Sequence, residues 1–138
     1  MLSADPEQRR TMDYRIEEVN GHRLLVLDGE GPAVTRVRDV LELVAEALPR
    51  RASMIVVTVA RLDPAFFELR SGFAGEFVQK IVNYRLRLAV IGDISEFIAN
   101  SAALTDFIRE SNRGRSIFFV RDLDALVEKL AARSREQG

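Results

Sequence analysis

Cysteine is absent from this chain of 138 residues. That excludes disulfides, thiolate nucleophiles and cysteine-ligated metals. Histidine occurs once, at His22, beside a turn where it is expected to be exposed. One histidine without cysteine gives no basis for a zinc site. Nor is there a G-x-S-x-G elbow that would make a serine its nucleophilic partner, or a P-loop or G-x-G-x-x-G loop for phosphates. No run approaches the roughly 20 apolar residues that cross a bilayer, and the opening MLSADPEQRRTMD has no apolar signal core. Neither sign of charge dominates: 20 Lys+Arg stand against 21 Asp+Glu, a net −1. No global basic field therefore invites a phosphate backbone, and nucleic acid is not the expected partner. No metal or cofactor is expected, and the cytoplasm is the expected compartment.

What is present suits one globular domain, with 47% hydrophobic and 30% charged residues. Residues 1–13 are polar and aperiodic and read as a flexible leader, residues 14–132 as the domain, and residues 133–138 as a polar tail. Apolar runs on either side of Asn20-Gly21 predict a β-hairpin, because both residues tolerate the positive φ of a type I′ turn. Thr35 offers a helix cap, and Val37, Leu41, Val44 and Leu48 repeat at helical spacing up to Pro49. Met54–Val59, Leu86–Ile91 and Ile117–Val120 are unalternating apolar runs, the mark of strands covered on both faces. Between them lie a helix from about Gly72 to Asn83 and another, capped by Ser95 or Ser101, with Gly114 at its end. Asp122 caps a last helix. The order ββαβαβαβα predicts a mixed, mostly parallel α/β sheet, with a flavodoxin-like sheet as the alternative.

In such sheets ligand groups gather beyond the carboxyl ends of the strands. Arg61, Asp63, Glu68, Arg70, Asp93 and Ser95 fall there and form the candidate ligand or docking edge. Gly72 and Gly75 belong to the same edge, and their expected role is close packing of their helix on the sheet. Ser71 sits at the mouth of that helix, where free N–H groups and the dipole favour an anion. It reads either as a plain cap or as a phosphorylated switch. At the opposite edge Asn83, Tyr84, Arg85, Asn112, Arg113 and Arg115 make a polar patch suited to an acidic partner or a carboxylate. Phe66, Phe67, Phe118 and Phe119 are expected in the core or at a dimer face. Carboxylates are plentiful, so an Asp, Glu or Lys enzyme stays open, although no pair stands out.

The stretch DPAFFELRSGFAGEFVQKIVNYRLRLAVIGDIS, with DFIRESNRGRSIFFV, resembles the bacterial family called domain of unknown function 4180. The likeness runs from about Val37 to Leu130 and rests on FF-x-L-[RS]-[ST]-G-x-A-G-E, QK-x-x-NY, GD-x-S and ES-N-R-G. It implies membership and no activity. The element order also resembles the STAS domain of anti-sigma-factor antagonists, whose phosphorylated serine lies in D-S-S-G-L-G. Laying Leu69–Gly75 over that motif puts Ser71 on the phosphoacceptor, with Arg70 in place of a serine and one extra residue before the second glycine. The expected function is a non-enzymatic, STAS-like regulatory module that binds a protein partner under control of Ser71. The rivals are a small-molecule-binding protein or enzyme at the carboxyl edge, and a self-associating homodimer.

Overall fold

The computed structural model describes residues 14–137, with side chains through residue 132. The expected leader lies outside the described residues. The hairpin forms as expected: β1 (Arg15–Val19) and β2 (His22–Leu27) pair antiparallel across Asn20 at φ 51° and Gly21 at φ 83°. Helix α1 (Val37–Ala47) leads to β3 (Met54–Thr58), and α2 (Phe73–Asn83) to β4 (Arg87–Ile91). A one-turn α3 (Ser95–Ile98), then α4 (Ala102–Arg113), β5 (Ile117–Val120) and α5 (Leu123–Gln137) complete the chain. Helix α5 thus continues through most of the segment read as a polar tail. Between β3 and α2 the chain makes three 3₁₀ turns, Val59–Arg61, Pro64–Phe67 and Leu69–Ser71.

The five strands lie in chain order, β1-β2-β3-β4-β5, with every pairing after the hairpin parallel. Each crossover moves the same way. Right-handed crossovers that never reverse must leave their helices on one face. The core divides accordingly. Leu25, Leu27, Ile55, Val57, Leu88, Val90 and Phe119 pack under α1, α2 and α4, while Leu24, Val26, Met54, Val56, Ala89 and Phe118 meet α5 through Leu126 and Leu130. This layering corrects the flavodoxin-like alternative, which is wound in both directions. It also removes the interior reversal point at which such sheets open a crevice.

Helix α1 is rotated from its expected phase. Val40, Leu43, Val44 and Ala47 are buried, whereas Leu41 and Leu48 are 38% and 45% exposed. Positions 41 and 48 are seven apart and share a flank, so a 3.6-residue repeat drawn through them misses the buried stripe by about a quarter turn. Thr35 does not cap by its own oxygen. The Asp39 carboxylate instead accepts from the Thr35 N–H at 2.9 Å and its hydroxyl at 3.2 Å. Gly114 ends α4 at φ −84°, without the left-handed turn expected of it. Ser101 caps α4 through the Leu104 N–H and Asp122 caps α5 through the Ala125 N–H, both as expected. Phe66, Phe67, Phe118 and Phe119 are all buried.

Candidate functional site

Two concavities open beyond the carboxyl ends of the strands, one on each flank of α3. The first, of about 450 Å³, is lined by Gly92–Ser95, Ile98 and Phe119–Arg121. The second is a groove of about 780 Å³ between two walls, Phe67–Arg70 on one side and Glu96, Phe97, Asn100, Ser101 and Ala103 on the other. Both sizes fall in the range of ligand sites.

The groove exists because each wall is a short irregular segment anchored by its own side chains. On the first wall, Asp63 accepts from the Ala65 N–H at 2.8 Å and starts the turn that carries Phe66 and Phe67 inward. Phe66 is fully buried and meets Phe67, Phe73 and Phe77 edge-on, with ring centroids 5.1, 6.4 and 5.3 Å apart. Ser71 then ties the segment off. Its hydroxyl donates to the Ala65 carbonyl at 2.7 Å and accepts from the Phe73 N–H at 3.1 Å. Gly72, at φ 80°, makes the left-handed step into α2 that a side chain would oppose. On the second wall, Asp93 accepts from the Ser95 N–H at 2.9 Å and starts α3, and the Ser101 cap starts α4. The break between these caps creates the wall. Phe67 stacks on Phe97 across the two walls, centroids 4.2 Å apart and planes 15° apart, and the pair forms an apolar floor. Glu68, Arg70 and Glu96 rim it with both signs of charge.

The expected edge residues therefore separate. Glu68 and Arg70 line the groove, and Asp93 and Ser95 line the smaller cavity with Arg121. The hydrogen bond from the Ser95 N–H chiefly holds the exposed Asp93 carboxyl below its ordinary value, with Arg121 adding in the same direction. Asp63 is used as a turn cap. Arg61 is 1% exposed and tucked under the loop after β2 rather than open to a ligand, its Nε donating to the Pro32 carbonyl and its Nη1 to the Asp28 carbonyl, each at 2.9 Å. Gly75 is exposed with nothing within 4 Å of its Cβ position, which corrects its expected packing role. A glycine facing solvent has no contact to enforce. Phe97, Asn100 and Ser101 were not among the expected groups. The doubled cap signal at Ser95 and Ser101 was the feature that placed a bend there.

At the opposite edge Asn83, Tyr84, Arg85, Arg113 and Arg115 are exposed. Asn112 is turned to structural use, its amide accepting from the Phe119 N–H at 2.7 Å and donating to the Phe119 carbonyl at 3.2 Å. His22 is half-buried rather than exposed, and burial is the main cause of its lowered pKa, with Arg87 adding to it. Among the described residues no three His, Cys, Asp or Glu side chains group to hold a metal ion, and no helix is long and apolar enough to cross a membrane.

The family model described as "Domain of unknown function (DUF4180)" matches residues 19–130. The match begins inside the hairpin, ahead of the stretch on which the sequence motifs lie. No curated protein and no solved structure matches the chain.

Proposed function

From a chain that belongs to the DUF4180 family, we propose a non-enzymatic regulatory module that binds a partner protein in the carboxyl-edge groove. The occupant is an extended segment with an apolar anchor for the Phe67–Phe97 floor and flanking groups of both signs for Glu68, Arg70 and Glu96. One observation carries this reading: the groove wall is held by the Ser71 hydroxyl, which bridges Ala65 to the start of α2. A phosphate on Ser71 removes the proton donated to Ala65 and sets an anion against that carbonyl. The wall must then rearrange, and with it the groove. In this way a single modification at an exposed serine controls docking several residues away.

The test is capture from the native host with four baits: wild type, Ser71→Ala, Ser71→Asp and the charge exchange Arg70→Glu/Glu96→Arg. The exchange leaves net charge unchanged and alters only exposed side chains. A partner held by wild type, retained in part by Ser71→Ala and lost from the other two supports the reading. Identical capture by all four would reduce Ser71 to a structural pin.

A second reading, a small polar ligand in the smaller cavity, is favoured by the convergence there of Asp93, Ser95 and Arg121. Ligand-induced gains in melting temperature that vanish in Arg121→Ala, with Arg70→Glu/Glu96→Arg unaffected, would select it over the groove.

A further inference from the structure

The amino ends of β3, β4 and β5 carry a second surface, which the groove does not use. The helices leading into β3 and β4 end in the same way. After α1 the Ala52 N–H bonds to the Ala47 carbonyl at 3.0 Å with Arg51 at φ 60°. After α2 the Leu86 N–H bonds to the Ile81 carbonyl at 3.1 Å with Arg85 at φ 62°. This closing position ordinarily belongs to glycine, because a side chain in left-handed backbone is strained. Both turns nevertheless place an exposed arginine there. Strain kept at a surface position directs attention to what the side chain does.

Parallel pairing sets the two turns beside that of Arg115. The Arg87 N–H donates to the Ser53 carbonyl at 3.1 Å, the Leu88 N–H to the Ser116 carbonyl at 2.8 Å, and the Arg87 Nε to the Arg115 carbonyl at 2.7 Å. Neighbouring strands lie about 4.8 Å apart, so the three turns span about 10 Å. Carboxylates near these turns face other arginines: Glu18 pairs with Arg23 at 2.8 Å, Glu46 with Arg50, and Glu110 with Arg113 at 3.6 Å. Among the described residues no carboxylate pairs with Arg51, Arg85 or Arg115. Tyr84, 47% exposed, stands next to Arg85.

We propose that Arg51, Arg85 and Arg115 form a docking row for an extended acidic segment of a partner protein. Guanidinium forks match carboxylates two bonds at a time. Alternate residues of an extended chain stand about 7 Å apart on one face, so the row spans two such carboxylates. A row of about 10 Å meets only a few anionic groups and offers no extended basic track for a phosphate polymer, which favours a short acidic peptide.

The strained backbone supplies the test. Arg51→Gly and Arg85→Gly remove the cations while placing glycine where the turn favours it, so the double variant melts higher than wild type. Its affinity for a fluorescein-labelled oligoglutamate peptide, read by anisotropy, falls roughly ten-fold, and further when Arg115→Ala is added. Arg36→Ala/Arg38→Ala, which removes two exposed arginines at the far end of α1, leaves the affinity unchanged. Equal loss in that control, or no loss in the glycine variant, overturns the proposal. Tighter binding of a single-stranded oligonucleotide through the same arginines overturns the acidic-protein partner.

Discussion

Gly31 and Arg61 occupy each other's space: a Cβ on residue 31 would lie 2.8 Å from the Arg61 Nη2 and 2.9 Å from its Cζ. The guanidinium cannot swing aside freely, since it is buried and holds the Asp28 and Pro32 carbonyls. At φ 152° the backbone of residue 31 also disfavours any side chain. Gly31→Ala is expected to cost about 1–3 kcal/mol, and Arg61→Ala about 3 kcal/mol through two orphaned carbonyls and a cavity. In urea unfolding the double variant is expected to lose at least about 1 kcal/mol less than the sum of the two. Additive losses would show that the contact does not couple them.

Asn112 covers part of the β5 edge of the sheet. Its amide takes the outward N–H and carbonyl of Phe119 on β5 as a neighbouring strand would. Unpaired edge groups invite pairing with another chain. Asn112→Leu is expected to lower stability by about 1–3 kcal/mol and to shift the protein toward larger species in sedimentation at raised concentration. A variant that stays as stable as wild type and sediments identically would remove this role.

Gly75 lies inside α2 with open space around it. Alanine there is expected to stabilise by about 1 kcal/mol, or about 4 °C in melting temperature for a domain of this size. A loss of stability instead would restore the close packing on the sheet expected of Gly75.

Tyr14 has its pKa raised to about 12, first by burial and then by its hydrogen bond to Glu46. A folded pKa above the ordinary 10.0 favours the neutral ring. The contribution to stability is therefore complete below pH 10 and is lost as pH rises toward about 12. In ultraviolet titration of the protein's two tyrosines, the late phase is expected to disappear in Tyr14→Phe. Persistence of that phase would place it elsewhere.

Much of the fold was legible because its signals are local. Asn20-Gly21 fixed the hairpin, unalternating runs marked the buried strands, and Ser101 and Asp122 announced helix starts. The site was less legible because its geometry depends on contacts between distant segments. Arginine is ordinarily exposed, so nothing in the sequence near Arg61 announces that it is buried under the Asp28–Pro32 loop. Asn112 finds Phe119 only once α4 lies beside β5. Ser71 was visible as a helix-start hydroxyl, but its bond to Ala65 depends on the intervening 3₁₀ turns, which show no periodicity. The groove floor, Phe67 on Phe97, joins residues from opposite walls that no spacing rule connects.

Occupancy of the groove by a partner protein is tested by photo-crosslinking in the native host from position 100 in the groove and, as control, position 38 on α1. A protein adduct is expected from position 100, none from position 38, and loss of the first adduct when Ser71→Asp is introduced. Equal adducts from both positions, or an adduct at position 100 that Ser71→Asp leaves intact, would contradict it.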